Sequence, residues 1–205
     1  MSDSTGSLAD AIRARRSVRG LEGPPLSRTE VEQLVSLALA APAPHHTRPW
    51  RFAHVGPERR GALAEAMGKE WRADMTSDGV PPTQQERALI RSRRQIEEAP
   101  TLLLGCIVGE GLREWPDERR RRSEWTMAAH SFGAALQNML LEASARGLGA
   151  FWISAPLYAG AAVRTALALP GDWIPQAAIA LGHSHTDYQP FERSDPDVGG
   201  SLIWA

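Results

Sequence analysis

Five consecutive residues, Arg15 to Arg19, combine three guanidinium groups with the hydroxyl of Ser17. A phosphate group carries up to two negative charges, and planar guanidinium groups bind its oxygens through paired hydrogen bonds. A nearby hydroxyl can donate a further hydrogen bond to the same anion. Arginines at the carboxyl end of a helix also complement the helix dipole. The pattern therefore predicts either a phosphate site or a solvated helix end.

A second candidate is the segment from Ala41 to Trp50, which contains three prolines. Each proline fixes its own φ angle and favours an extended residue before it, so we expect a rigid, extended loop. His45, His46 and Thr47 offer hydrogen-bonding groups there, as in loops that line a ligand site. Adjacent histidines in an extended chain point to opposite faces, which is a poor geometry for one metal ion. We therefore predict a ligand-binding loop and no metal site.

A basic run, Arg119 to Arg122, lies between Glu118 and Glu124. A solvated helix face is the simpler interpretation, and an anion site is the alternative. The glycine spacings of nucleotide-binding loops and the nucleophile elbow of serine hydrolases are missing, and Cys106 lies in an apolar run. If the chain is an enzyme, a bound cofactor is expected to carry the chemistry, and no side chain is predicted to be catalytic.

Composition narrows the class of protein. The 205 residues include 42% hydrophobic and 23% charged residues, which is typical of a globular chain, and we expect residues 1–205 to form a single domain. The formal net charge of -1 argues against a dedicated nucleic-acid binder. A single cysteine and the lack of a long apolar run predict no disulfide framework, no membrane span and a cytoplasmic location.

Helical and strand patterns alternate irregularly, which predicts an α+β fold. Ser27 to Glu30 matches a capping box at the start of a helix, and Gly147 is placed to end another. The predicted helices are 8–14, 27–40, 57–74, 83–98 and 118–146, with a further helix after Pro156, and the predicted strands are 50–55, 101–108, 149–153 and 174–181. Between two of the helices, Met75 to Pro82 is predicted to be a polar loop long enough to act as a lid.

Four segments, taken together, resemble the nitroreductase family of FMN enzymes. They are Arg15 to Arg19, Ala41 to Trp50, Gly147 to Ile153 and Ile179 to Gly182. A narrower resemblance is to the C-terminal flavin-binding domain of the coenzyme F-420 biosynthesis protein, whose N-terminal domain is a γ-glutamyl ligase. It is carried by the His-His-Thr-Arg-Pro sequence of the proline loop, by Lys69 to Gly79 and by Glu124 to Met127.

The family resemblance implies a three-layer α/β/α sandwich and an interlocked homodimer that binds FMN at the dimer interface with residues of both chains. Arg19 matches the cationic residue near the pyrimidine end of the flavin, where it would stabilise the reduced, anionic ring. His46 stands where many nitroreductases have Asn. The residues that match FMN-binding positions are Arg15, Arg16, Ser17, Arg19, Pro44, His45, His46, Thr47, Gly149, Ala150, Phe151, Trp152 and Arg193.

The narrower resemblance implies reduction of the dehydro precursor of the deazaflavin coenzyme F-420, with Lys69, Arg72 and Ser77 as candidate substrate contacts. No counterpart of the ligase domain is recognisable, so glutamate ligation would need a separate γ-glutamyl ligase as a partner. Two alternatives remain open at this point. One is a general NAD(P)H-dependent nitro or quinone reductase, and the other is a flavin- or deazaflavin-binding protein without turnover.

Overall fold

The computed structural model describes residues 7–189, 191–194 and 196–204. The helices are α1 (Leu8–Ala14), α2 (Arg28–Leu39), α3 (Pro57–Ser77), α4 (Pro82–Glu97), α5 (Glu118–Ala145), α6 (Ala155–Tyr158) and α7 (Gly160–Leu167). The strands are β1 (Leu21–Glu22), β2 (Trp50–His54), β3 (Thr101–Ile107), β4 (Gly149–Ile153) and β5 (Ile174–Ser184), and a short 3₁₀ turn covers Pro44–His46. Each predicted helix and strand is confirmed to within a few residues.

The sheet is antiparallel and is organised around β5. Strand β5 pairs with β3 and with β4, β2 pairs with the other edge of β3, and β1 pairs with the last residues of β5. The prediction ended β5 at Leu181, but the strand continues to Ser184 because Leu21 and Glu22 supply a backbone partner for Ser184 and His183. This pairing brings the segment after α1 to the sheet.

Helices cover both faces of the sheet. Ile179 and Leu181 of β5 pack into one core cluster with residues of α2 and α5. Ala178 and Ala180 point to the opposite face and pack with residues of α3 and α7. Successive side chains of a strand point to opposite faces, so a central strand covered on both sides must be apolar throughout. The predicted three-layer α/β/α sandwich is confirmed.

The local signals at helix ends behave as predicted. Ser27 accepts a hydrogen bond from the backbone of Glu30, and the Glu30 carboxylate accepts from the backbone of Ser27, which completes the capping box of α2. Such a cap contributes about 1 kcal/mol and fixes where the helix begins. Gly147, at a φ of 73°, follows the end of α5 and turns the chain into β4.

The predicted lid between residues 75 and 82 is wrong. Helix α3 continues through Ser77, and α4 already begins at Pro82. Met75 is buried, its carbonyl accepts a hydrogen bond from the N–H of Val80, and the Gln85 side chain donates to the Val80 carbonyl. Because these bonds close a tight turn between two packed helices, the connection is too short and too well bonded to act as a lid.

The C-terminal segment runs back along the start of the chain. The N–H of His185 bonds the carbonyl of Gly20 at 2.9 Å, and the hydroxyl of Tyr188 donates to the carbonyl of Ser17 at 3.2 Å. Beyond this contact, Ile203 and Trp204 are about nine-tenths exposed. None of the helices in the described ranges is both long and apolar enough to span a lipid bilayer.

Candidate functional site

The segment from Arg15 to Arg19 leaves α1 and crosses to strand β4. Arg15 follows the last residue of α1, and the N–H of Val18 donates to the carbonyl of Ala150 at 3.0 Å. A Cβ atom on Gly149 would lie 2.7 Å from Leu21 and 2.9 Å from Val18. Glycine at position 149 is therefore needed for the two segments to approach, which explains its place in the motif.

Four guanidinium groups meet at one small cavity of about 390 Å³, which we call the arginine cradle. It is lined by Arg15, Arg16, Ser17, Arg19, Phe191, Glu192, Arg193 and Ser194. In the part of the chain that the structure describes, none of its arginines lies within 4.0 Å of a carboxylate oxygen. Burial lowers the pKa of Arg15, and the nearby charges of Arg193 and Arg16 lower it further. An anion bound here would relieve that repulsion.

Two of these arginines are held by the carbonyl groups that end α1. Arg193 donates to the carbonyl of Arg13 at 3.0 Å, and Arg16 folds back onto the carbonyls of Arg13, Ala14 and Arg15. Arg16 thus complements the helix end, as the simpler interpretation of the segment predicted. Arg15 makes no such bond in the described residues, which leaves its guanidinium for a ligand.

A second cavity, of about 570 Å³, shares the lining residue Arg19 with the cradle. The Arg19 guanidinium lies 5.8 Å from the ring centre of Phe151, and Trp152 exposes 38% of its surface into the same region. We call this space the α3–α4 cavity. Its other lining residues come from α3, from α4 and from the segment that follows β4, and they are Met67, Glu70, Trp71, Asp74, Asp78, Ala88, Arg91, Ser92, Gln95, Ile153, Ser154, Ala155, Tyr158 and Ala159.

The predicted substrate residues lie outside this cavity. Lys69, Arg72 and Ser77 are exposed on α3, and Arg72 forms an ion pair with Glu86 at 2.9 Å. The face of α3 that contains Leu63 and Met67 instead continues through Glu70, Trp71, Asp74 and Asp78 to the cavity wall. The spacing of three and four residues was the signal that could have found them.

The proline loop is not extended, contrary to the prediction. His45, His46 and Arg48 have φ angles of 52°, 59° and 51°, in the left-handed region that such residues rarely adopt. The hydroxyl of Thr47 donates to the carbonyl of Pro44 at 2.8 Å and closes the turn. The rule that a residue before proline is extended holds for Ala43 and fails for Arg48. Non-glycine residues in this conformation often belong to functional sites.

Glu124 is the buried anchor of this loop. Its carboxylate is 3% exposed and accepts hydrogen bonds from the indole N–H of Trp115 at 3.1 Å and from the N–H of Arg113 at 3.2 Å. The Nε2 atom of His45 lies 3.2 Å from the same carboxylate. Burial raises the pKa of Glu124, but the donors Trp115 and Arg113, followed by His45, outweigh it and leave the pKa below its usual value. Sequence reasoning assigned Glu124 no role.

The structure brings only part of the predicted site together within one chain. Arg15, Arg16, Ser17, Arg19 and Arg193 line the arginine cradle, and strand β4 carries Phe151 and Trp152 to the α3–α4 cavity. The loop residues Pro44, His45, His46 and Thr47 line neither cavity. They pack instead at the start of α5, beside Glu124.

The basic run at the start of α5 divides into two pairs. Arg120 and Arg121 form ion pairs with Asp117 and Glu118 in the first turn of the helix, as a solvated face would. Arg119 and Arg122 line an open groove together with Glu118, Ser123, Thr126, Met127 and His130. Cys106 is buried in the core, and burial raises the pKa of its thiol to about 12, so it is not a nucleophile.

Residues 12–183 match the family model described as "Nitroreductase family". The chain is 30% identical to a nitrobenzene nitroreductase of Ectopseudomonas oleovorans in an alignment of length 205, gaps included, that covers 85% of this chain and 86% of that protein. It is 29% identical to a 5,6-dimethylbenzimidazole synthase of Rhodospirillum rubrum over 175 residues, which cover 82% of this chain and 77% of the synthase.

Solved structures share the fold. A BluB-like flavoprotein from Clostridium difficile 630 superposes with a TM-score of 0.77 at 20% identity and covers 98% of this chain and 99% of its own. The FMN and NADPH-dependent nitroreductase NfnB from a Sphingopyxis strain gives a TM-score of 0.72 at 20% identity, with coverage of 98% and 99%. Both likenesses extend over nearly the whole chain.

Proposed function

This chain belongs to the nitroreductase family, and from that premise we propose that it is an FMN-dependent oxidoreductase whose aromatic acceptor binds in the α3–α4 cavity. The observation that carries the proposal is the arginine cradle, whose guanidinium groups lack carboxylate partners among the described residues and which shares Arg19 with that cavity. A ligand with a phosphate at one end and a flat ring system at the other matches this combination.

The residues present fit FMN at its phosphate end. Arg15 and Arg193 raise the positive charge at the cradle, and Ser17 adds a hydroxyl donor. Guanidinium groups form charge-assisted hydrogen bonds with phosphate oxygens, and a bound anion would reduce the repulsion between the neighbouring arginines. We therefore propose that Arg15, Ser17 and Arg193 bind the phosphate. Arg16 stays bonded to the end of α1 and attracts the phosphate through its positive charge.

The ring end is matched by Arg19 and strand β4. Phe151 is buried and lies below Arg19, and Trp152 lines the same cavity with its indole group. Gly149 and Ala150, which were also predicted to contact FMN, precede them on β4 and do not line the cavity. FMN, when bound, supplies the hydride-transfer chemistry that the chain's own side chains lack. Arg19 would stabilise negative charge at the ring, and the aromatic walls would exclude water and orient the acceptor.

The loop from Pro44 to Thr47 is proposed to act on the FMN of a second copy. It lines neither cavity of its own chain, and the family resemblance implies residues of both chains around one cofactor. Its left-handed backbone and the contact of His45 with Glu124 fix the loop in one shape. A fixed shape lowers the entropy lost when the loop meets its ligand.

Replacing Arg15 with alanine is expected to weaken FMN binding by about tenfold to a hundredfold, because a hydrogen bond to a charged group contributes about 1.5 to 3 kcal/mol. Fluorescence titration of the apoprotein with FMN measures the change. Arg13→Ala is the matched control, since Arg13 is exposed, pairs with Asp10 and lies outside the cradle. Equal affinity for FMN in Arg15→Ala and the unmodified protein would remove Arg15 from the phosphate site.

Among acceptors, the geometry favours a nitroaromatic or quinone over the dehydro precursor of F-420. The predicted contacts for the phosphate and carboxylates of that precursor, Lys69 and Arg72, lie outside the cavity, and its α3 wall carries Glu70, Asp74 and Asp78. In the first step with a nitro acceptor, a reduced nicotinamide supplies two electrons and one proton, and solvent supplies a second proton. The nitro group becomes a nitroso group and water leaves.

Steady-state kinetics separate the three candidate functions. The FMN-loaded protein is mixed with NADH or NADPH and with nitrobenzene, a quinone or dehydro-F-420, and nicotinamide oxidation is followed by absorbance. Turnover with nitrobenzene or the quinone supports the general reductase, whereas turnover with dehydro-F-420 alone supports the biosynthetic role. Bound FMN that no donor reduces supports a binding protein without turnover. The cytoplasmic location and a γ-glutamyl ligase partner stay predictions.

A further inference from the structure

One wall of the α3–α4 cavity is acidic. Glu70 and Asp74 are four residues apart on α3, so their side chains share one face of the helix, and Asp78, the residue that follows α3, lines the same cavity. In the portion of the chain that the structure describes, none of the three lies within 4.0 Å of a Lys, Arg or His nitrogen. The wall therefore presents three carboxylates that the fold itself does not use.

Aromatic side chains line the same cavity independently of the carboxylates. Trp71 exposes 39% of its surface, Trp152 exposes 38% and Tyr158 exposes 79%, although they come from α3, β4 and α6 respectively. Large aromatic groups that converge on a concave surface from separate elements are typical of a binding site. Aromatic faces beside carboxylates attract organic cations, because the ring quadrupole and the negative charges act in the same direction.

The cavity also contains positive groups. Arg19 and Arg91 line it, and both also line an adjacent cavity that includes Arg87 and Arg94. Arg19 is shared with the arginine cradle as well, so it brings positive charge to the side of the cavity next to the proposed cofactor. An electron-accepting group near Arg19 and a cationic group near the carboxylates of the α3 wall would match both kinds of charge.

We propose that the α3–α4 cavity selects aromatic acceptors that carry a positively charged amine over acceptors that carry a carboxylate. Glu70, Asp74 and Asp78 are the specificity-determining residues, and the aromatic walls bind the ring. The inference rests on the proposed function, in which the acceptor occupies this cavity, and it names the substrate class. Opposite charges near a protein surface interact strongly enough to set such a preference.

Three acceptors of similar length test the selectivity of the FMN-loaded enzyme. They are 4-nitrobenzylamine, 4-nitrobenzyl alcohol and the anion of (4-nitrophenyl)acetic acid, which carry an ammonium group, an uncharged hydroxyl and a carboxylate on the same methylene group. We expect kcat/KM to fall in that order, with at least about a tenfold difference between the amine and the carboxylate at low salt. The difference should shrink as salt is added, because exposed charges are screened.

Neutral variants assign the preference to the wall. In the combined variant Glu70→Gln, Asp74→Asn and Asp78→Asn, the ratio of kcat/KM for the amine to that for the carboxylate should fall to within about threefold of unity. Glu65→Gln is the matched control, because Glu65 is exposed on α3 outside the cavity, and it should keep the full ratio. The three single variants should lower the ratio in smaller steps.

Binding without turnover provides a second readout. Isothermal titration of the FMN-loaded protein with benzylamine and with phenylacetate, which have no nitro group, should show tighter binding of the amine. If the enzyme reduces the alcohol but shows no preference between the amine and the carboxylate, the proposed selectivity is wrong and the proposed function still holds. If none of the three acceptors is reduced, the proposed function fails, and the titrations alone decide whether the cavity prefers cations.

Discussion

Glu124→Ala is expected to lower the free energy of unfolding by about 2 to 4 kcal/mol, because each buried donor that loses its acceptor costs about 1 to 3 kcal/mol. The substitution leaves the indole N–H of Trp115 and the N–H of Arg113 without their acceptor, and it frees His45 from its only described carboxylate partner. The proline loop, the connection after β3 and helix α5 would lose this shared contact. Urea denaturation followed by circular dichroism measures the change.

Glu114→Ala is the control for this experiment, because Glu114 is exposed in the same connection and should change stability by no more than about 0.5 kcal/mol. Acid titration adds a second test. The folded-state pKa of Glu124 lies below its ordinary value of 4.5, so its stabilising effect is complete above that value and is lost as the pH falls through the folded-state pKa. The gap in stability between the unmodified protein and Glu124→Gln should therefore close in acid. A loss below about 1 kcal/mol in Glu124→Ala would contradict the anchoring role.

Charging the exposed tail is expected to break the homodimer that we propose. Leu202, Ile203 and Trp204 are 50%, 89% and 92% exposed in the single chain, and three large apolar side chains in a row are rarely left to water. Burial of each contributes about 1.5 to 3 kcal/mol. The double variant Ile203→Asp with Trp204→Asp should thus weaken dimerisation by about 3 to 6 kcal/mol for each tail buried in the dimer, which sedimentation equilibrium measures.

Ile90→Asp serves as the control for the tail, because Ile90 is an exposed apolar residue of α4 and receives the same charge. It should leave the dimerisation constant unchanged. A double tail variant that stays as dimeric as the unmodified protein would show that another surface joins the subunits. If the unmodified protein sediments as a monomer at every concentration, the proposal that the Pro44 to Thr47 loop acts across the interface falls with it.

The arginine cradle could be predicted in part because four of its eight lining residues lie between Arg15 and Arg19, directly after a helix whose end can be predicted from the sequence. The other four, Phe191 to Ser194, come from far along the chain. The strands could also be predicted, because a short, continuous apolar run such as Thr101–Ile107 is typical of a buried strand in a sheet that is covered on both faces. Local signals were sufficient wherever the residues that act together are also neighbours in sequence.

The acidic wall of the cavity was not predicted, because the candidate substrate residues were chosen by their charge and not by the helix face on which they lie. Lys69 and Arg72 suited an anionic substrate chemically, but α3 turns them away from the cavity and turns Glu70 and Asp74 towards it. The helix face was already marked by Leu63 and Met67, and its continuation by three and four residues gives the correct wall. Periodicity, not residue chemistry, decides which charges a helix presents.

The shape of the proline loop could not be predicted from its prolines. The steric rule for residues before proline is a local preference, and at Arg48 the surrounding contacts override it. The carboxylate of Glu124 reaches His45 across the fold, so the loop conformation depends on an α5 residue that no local pattern connects to it. Tertiary contacts of this kind set backbone angles that sequence rules describe only on average.

Comparison of FMN with riboflavin tests most directly whether the arginine cradle is a phosphate site of a flavin enzyme. The two ligands share the ring and the ribityl chain and differ only in the phosphate. Fluorescence titration of the apoprotein should show that FMN binds at least about tenfold more tightly than riboflavin, and that Arg15→Ala loses most of this preference. Equal affinity for the two ligands, or no uptake of FMN at all, would contradict the assignment.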